Sequence, residues 1–457
     1  MRFRVEREAL AEALAWVARA LPTRPVVPVL SGLRLDAGPG LTLSCFDYEV
    51  AATAQIEADV LEPGTVIVPG RLLTEITRSL PALAVDIATD ADGVSVTCGS
   101  AEFTLVALSA EEYPALPVPP AVAGTVDGGL LGVAIGQVVP AASRDDTLPM
   151  LTGVCLDIED GTLTLAATDR YRLAVRDVSW EPVRDGLRAV ALVPARTLAD
   201  AARAMTPGVP VGISFETGPA GSKAAGSKAA GSKAAGSKAA GSRTAEPKAA
   251  GSRTAEPKPA EGLISFGIGG RRLTARLIGG EFIRYRSRFP SEFGCRADVP
   301  SGPFTEAVRR VSLVADRTSP VRLSFSPGKV VIEAQTEGRA RAVETVPAEF
   351  HGAEPGIAFN PHYLLDGLAA AAAPVPARAK PGGAETGGPA APDANPGADG
   401  AAPPTDPGLL RIEFTSPAKP ALITRVPPEP AQDDQAAEVG PPGFRYLVVP
   451  LRAVTRS

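Results

Sequence analysis

The sequence predicts an α+β chain of three tandem domains sharing one topology, each running helix, strands, helix, strands. Residues 28–52 read PVLSGLRLDAGPGLTLSCFDYEVAA and residues 149–174 read PMLTGVCLDIEDGTLTLAATDRYRLA. Leu30, Gly32, Leu35 and Asp36 therefore recur as Leu151, Gly153, Leu156 and Asp157, 121 positions further on. A weaker third copy at 320–342 keeps the strand–turn–strand pattern VRLSFSPGKVVIEAQ but not the residues. Self-similarity at one long period marks tandem domains of one topology.

The flanks repeat too. Ahead of each copy, apolar residues fall at i, i+3, i+4, i+7 and i+11, one face of a helix. They are Leu10/Ala13/Leu14/Val17/Leu21, then Leu131/Ala134/Ile135/Val138/Ala142, then Phe304/Ala307/Val308/Val311/Ala315. Behind each copy come a short strand, a turn and a second helix. These are VPGRLLTEITRSL from Val68, VPARTLADAARAM from Val193 and FNPHYLLDGLAAA from Phe359.

A chain of 457 residues is too long for one core and suits three domains of ordinary size. Apolar residues at 45% suffice for globular packing, whereas 46 Pro and 46 Gly point to disordered tracts. No apolar run reaches membrane-spanning length. The start, MRFRVEREAL, lacks the apolar stretch of a signal peptide. Cys45, Cys98, Cys155 and Cys295 are scattered without CxxC spacing and read as small buried apolar residues in a reducing cytoplasm. His351 and His362, the only histidines, have no ligand-spaced partner, so neither a metal nor another cofactor is expected.

Three tracts interrupt the repeat. Residues 219–260 hold repeated GSKAA and GSRTAEPK units, with eight Lys or Arg against Glu246 and Glu256, where a hairpin turn belongs. Residues 374–407 are rich in Pro, Gly and Ala, and residues 427–442 carry four acids and no base. Such compositions bury too little apolar surface to offset the entropy of ordering. They read as tolerant surface turns that have drifted, with a functional role as the other possibility.

Catalytic motifs are missing. There is no G-x-S-x-G, no GxxxxGK[ST], no GxGxxG opening a helix and no HExxH. Asp145, Asp146 and Asp169 lack metal-ligand or nucleophile spacing. The arginines say more. Arg19, Arg24, Arg71, Arg78, Arg144, Arg196, Arg203, Arg309, Arg310 and Arg317 fall on or beside predicted helices, although the chain's net charge is −5. Singly, each reads as part of a solvated helix face; recurring in three repeats, they suggest one positive face on an acidic body.

The phrases RPVVPVLSGL, SRDDTLPMLTGV, ATDRYRLAV, EFIRYRSRFPSEF and YLVVPLR, in that order, resemble the bacterial DNA polymerase III beta subunit family, the sliding clamps. The resemblance covers essentially the whole chain outside the three tracts. It implies domains at 1–122, 123–288 and 289–457, each with two helices on a curved antiparallel sheet. It further implies a head-to-tail homodimeric ring of six domains with helices lining the hole. Such a protein is a non-catalytic, cytoplasmic processivity factor that encircles double-stranded DNA without reading its sequence. Its partners would be the clamp loader, polymerases and repair proteins that dock through short peptides, and no membrane.

Residue by residue, the resemblance places Arg24, Arg71, Arg144, Pro149 and Met150 near DNA, and Leu313 at the dimer interface. It places Leu151, Thr168, Arg170, Tyr171, Arg172 and Leu173 in a partner-peptide pocket. Ile283, Ser287, Arg288 and Pro420 join them there. The tail residues Leu447, Val448, Val449, Pro450, Leu451 and Arg452 complete the set. Each apolar member taken alone has a place in the core as its lesser alternative.

Two departures leave room for a specialised paralogue with fewer partners. Ile283 stands where the family commonly has Pro, and Val449 and Leu451 stand where the tail often carries Met. A reading of another class, an electrostatic DNA binder working through the basic tract, also stays open.

Overall fold

The computed structural model describes residues 1–90, 93–215, 262–316, 319–336, 338–353, 356–374, 408–427 and 443–451. The three low-complexity tracts lie almost wholly outside the described residues, as do Arg317 and Arg452.

The repeat is finer than the sequence pattern suggested. Each domain is two half-units, each a strand, a helix and three antiparallel strands, with one short extra strand (Asp59–Glu62, Glu181–Pro182 or Glu349–His351) between the halves. The six α-helices among the described residues are α1 (Arg7–Val17), α2 (Gly70–Ser79), α3 (Gly128–Val138), α4 (Ala195–Ala202), α5 (Ser301–Ser312) and α6 (Pro361–Ala372). They pair as α1 with α2, α3 with α4, and α5 with α6. The strands before α2, α4 and α5 end in Pro69, Pro194 and Pro300, which close each strand and deliver the chain into its helix. Asn360 caps α6 by accepting from the amide of His362 at 2.9 Å, with Pro361 at the first helical position.

The helices α1 and α3 stop earlier than their apolar faces do. Short 3₁₀ turns follow, Ala18–Ala20 and Val139–Ala141, the second holding Pro140. Leu21 and Ala142 are still buried, carried inward by the turn rather than by the helix.

Two nine-stranded sheets run through both domain junctions. At the first, Val50–Ile56 pairs with Arg271–Arg276, setting Ala52 opposite Leu273. At the second, Arg172–Ser179 pairs with Phe444–Val448, setting Ala174 opposite Tyr446. Leu273 and Tyr446 are both buried there. A five-stranded sheet in domain one ends in Ala101–Leu105, and a four-stranded sheet in domain three ends in Ala340–Pro347. The expected boundary after residue 122 falls one residue inside the strand Val122–Asp127, which belongs to domain two.

The retained glycines of the repeat have a packing reason. A Cβ on Gly32 would lie 2.5 Å from the Ile67 side chain, and one on Gly153 would lie 2.9 Å from Leu192 and Ile278. Each glycine lets a wall segment close over the sheet edge, where Leu108 donates to the Ile67 carbonyl and Ile278 to that of Leu192, both at 2.8 Å. In domain three Leu451 does the same, donating to Ala358 at 2.7 Å. No helix among the described residues is long and apolar enough to cross a membrane.

Candidate functional site

The strand Thr162–Thr168 turns back into Arg172–Ser179 through a tight loop. Asp169 organises it, accepting from the amides of Tyr171 and Arg172, both at 3.0 Å. Thr168 donates to the Arg172 carbonyl at 2.6 Å. The loop puts Arg170 at φ 81°, a left-handed conformation that glycine adopts with least strain. The first repeat builds the same loop, with Asp47 holding the amides of Glu49 and Val50 and Tyr48 at φ 74°.

Beside this loop, at the junction of domains two and three, opens a cavity of about 530 Å³. Its apolar floor is Leu151, Leu173 and Leu447, each less than a tenth exposed. Thr168, Arg170 and Arg172 come from the loop, and Ile283, Ser287 and Arg288 from the wall segment. Pro420 and Val449 close the side formed by domain three. Sequence positions from 151 to 449 thus meet in one place.

Five residues expected in this pocket stand elsewhere or are not described. Val448 is fully buried in the main core, because alternation along the tail strand sends Leu447 to the cavity and Val448 to the opposite face. Pro450 is buried, and Leu451 is tied to Ala358 within domain three. Tyr171 is half exposed and stacks on Tyr363 of α6, ring centroids 6.0 Å apart. Arg452 lies outside the described residues. The tail is also more than a wall, since Phe444–Val448 is the strand that joins the two domains.

The role of Arg172 emerges only from the fold. Its guanidinium pairs with Asp169 at 3.0 Å and with Asp366 of α6, and it donates to the Pro140 carbonyl. It also stacks over Tyr363, 4.6 Å from the ring centre. Gln137 of α3 adds a bond to the Ala370 carbonyl of α6 at 2.8 Å. The equivalent place at the first junction has Val50 instead of Arg172. There a cavity of about 280 Å³ is lined by Arg19, Asp47, Thr197, Asp200 and Leu273, the counterparts of Pro140, Asp169, Tyr363, Asp366 and Tyr446.

In domain one the counterpart of the pocket is occupied by side chains. Phe46 and Tyr113 occupy the places of Thr168 and Ile283, and the Tyr113 hydroxyl accepts from the Phe46 amide at 3.0 Å. A tyrosine fills the space that domain two leaves empty.

Arg24, Arg144, Pro149 and Met150 are exposed on equivalent loops of domains one and two. Arg71 reaches back from α2 to the carbonyls of Leu21 and Pro22, at 3.3 and 3.2 Å, and so steadies the loop that carries Arg24. Arg309 and Arg310 pair with Glu306 and Glu344, so α5 offers less free positive charge than its sequence suggested. Leu313, at the end of α5, is 82% exposed. The four cysteines are buried and unpaired, and burial pushes the Cys45 and Cys155 thiols up to about 12, leaving neither as a thiolate near neutral pH. No cluster of His, Cys, Asp and Glu among the described residues could hold a metal ion.

Comparison with known proteins gives the family. The chain matches the N-terminal, central and C-terminal domains of the DNA polymerase III beta subunit over residues 1–117, 125–235 and 286–375. It is 42% identical to the beta sliding clamp of Streptomyces coelicolor over 453 residues, 99% of each chain. It is 39% identical to the beta sliding clamp homolog GriR of Streptomyces muensis, over 80% of this chain and 88% of that one. The crystal structure of the DNA polymerase sliding clamp from Bacillus subtilis superposes with a TM-score of 0.75 at 22% identity, covering 99% of both chains. With three domains of one design and full-length identity to a sliding clamp, the chain belongs to the DNA polymerase III beta subunit family, the bacterial beta sliding clamps.

Proposed function

We propose that two copies of this chain close head to tail into a ring around duplex DNA and tether a replicative polymerase and other proteins through the pocket at the junction of domains two and three. The observation that carries the ring is an unfinished pattern. Two junctions are made alike, by a third strand of one half-unit pairing with a third strand of another. One strand of each kind is left over, Ala101–Leu105 in domain one and Ala340–Pro347 in domain three. Unpaired edges of this length invite pairing with another chain, and unlike edges give a head-to-tail contact.

The repeat supplies a register for that contact. Phe103 is the counterpart of Leu273 and Tyr446, and Ala342 that of Ala52 and Ala174, so Phe103 pairs opposite the partner's Ala342. Phe103, 36% exposed in the single chain, would then be covered as its counterparts are. Leu313 occupies the place of Arg19, which lines a cavity with Thr197 and Asp200 of the next domain, and of Pro140, whose carbonyl accepts from the Arg172 guanidinium at the second junction. The domain limits we adopt are 1–121, 122–288 and 289–457, with the first boundary moved back by one residue from the expected 1–122 and 123–288.

Arg24, Arg71, Arg144, Pro149 and Met150 form the side we assign to DNA. A few exposed guanidinia attract phosphates weakly and leave sequence unread, which suits sliding. Retention then comes from topology rather than affinity, and no catalytic group is required. A cytoplasmic location follows from this role.

Retention on DNA of different topology tests the reading. Loaded on a nicked circle, the protein should survive a salt wash and leave once the circle is linearised. The variant with Arg24, Arg71 and Arg144 all changed to Ala should load less well but be retained as firmly. Equal salt sensitivity on circles and linear DNA would identify an electrostatic binder and refute the ring.

A further inference from the structure

The wall segment of domain two bounds two cavities. Besides the pocket above, a second cavity of about 560 Å³ opens between this segment and the strands Gly153–Glu159 and Arg188–Pro194. The two cavities share Ile283 and Ser287. One hydrophobic cluster underlies both, with Leu173 and Leu447 beneath the first and Cys155 and Val190 beneath the second. The segment leaves the sheet after Ile278 and passes through Gly279 and Gly280, where an added Cβ would meet nothing within 4 Å. Gly280 stands at φ 115°, a conformation that favours glycine. The segment returns at Tyr285, which is buried and donates to Asp157 at 2.7 Å. Between these two ties it arches over the second cavity, and Phe282 lines the arch against Tyr285, ring centroids 6.4 Å apart. The inner polar groups are paired with one another. Arg286 meets Asp157 at 3.0 Å and Glu159 at 3.1 Å, and Arg188 meets Glu159 at 3.2 Å. Acids and bases line the cavity in equal number, so it favours neither sign of charge. What remains for a ligand is apolar: Cys155, Val190, Phe282 and Ile283.

We propose that this second cavity is a docking site of its own, filled by an aromatic or branched aliphatic side chain of the partner chain whose first anchor occupies the pocket beside it. This rests on the docking role proposed above. Continuity selects the occupant. A chain leaving the first pocket over Ile283 and Ser287 is already at the mouth of the second. Crossing that single segment takes about 10 Å, or about three extended residues. A ring entering there would meet Phe282 and extend an aromatic pair. A second side chain on a chain already held loses little further translational freedom, so even an open cavity adds affinity.

Titration of the full chain with synthetic peptides tests this. One peptide carries a single Leu-Phe anchor with Ser-Gly flanks, and two others add a Phe about three residues before or after that anchor. One of the two-anchor peptides should bind about tenfold more tightly than the single-anchor peptide, the effect of burying one more apolar side chain. In the variant Val190→Gln that gain should fall below about threefold, while the single-anchor peptide keeps its affinity within about twofold. Photolabelling of the unaltered chain reads the placement independently of how well the variant folds. With p-benzoylphenylalanine at the second anchor, irradiation should label residues 188–190 or 281–286. Labelling elsewhere overturns the second site even where affinity rises, and so does a gain that survives in Val190→Gln. If neither added Phe improves binding to the unaltered chain, the second site is refuted and docking stands. If no peptide binds, the docking role fails and the second site falls with it.

Discussion

Replacing Leu313 with glutamate is expected to raise the ring's dissociation constant by roughly a thousandfold. The side chain is 82% exposed in the single chain, so the substitution should leave the fold and melting temperature of a protomer nearly unchanged. In the proposed ring the same side chain is covered at both interfaces. Losing a buried leucine removes about 2 kcal/mol at each, hence about 4 kcal/mol per ring. Sedimentation at micromolar concentration should then show monomer where the unaltered protein shows dimer. A dimer that persists would place Leu313 outside the interface, whatever the fate of the edge strands.

The second large effect concerns Arg172. Changing it to alanine strands Asp169 and Asp366 near one another and leaves the Pro140 carbonyl without its donor. Breaking a buried pair from one side typically costs 3–5 kcal/mol; since Asp366 is 31% exposed, a value of about 3 kcal/mol is expected. Urea unfolding should show an earlier transition for the unit made by domains two and three. Arg172→Lys should fall between, because an ammonium keeps the charge but cannot reach both carboxylates and a carbonyl in one plane. An unchanged urea midpoint for the alanine variant would mean that the cage contributes nothing to the junction.

These expectations divide according to what a sequence can carry. The six helices were legible because each buries one face at a spacing of 3.6 residues, and the domain repeat was legible because Leu30, Gly32, Leu35 and Asp36 recur at one fixed spacing. The finer half-unit repeat was not, since its halves share topology and almost no residues. The pocket could not be assembled from pattern, because Leu151, Ile283 and Leu447 meet only after two sheets have joined; only the family resemblance brought them together. Period-two reasoning could have separated Leu447 from Val448, as neighbours on a strand point to opposite faces. Nothing local announced the role of Arg172, whose partners at 140, 169 and 366 come from three separate elements. Tyr113, which plugs the counterpart pocket, belongs to no motif or repeat read from the sequence.

The exchange of Arg172 for Val50 between the two junctions has a mechanical consequence. Both joints carry the same backbone ladder, but only the second is bolted by a buried cation held on two carboxylates. The first has a cavity there, and the Arg271–Glu12 pair that spans this joint is solvent-accessible and resists little. Under a load that flexes the arc, deformation should therefore concentrate at the first joint, leaving domains two and three to turn as one stiff lever. Amide hydrogens in residues 51–54 should then exchange faster than those in residues 173–176, and equal rates would mean the two joints are equally stiff. A closed ring built this way has two soft corners set opposite each other, and bends along one axis in preference to the other.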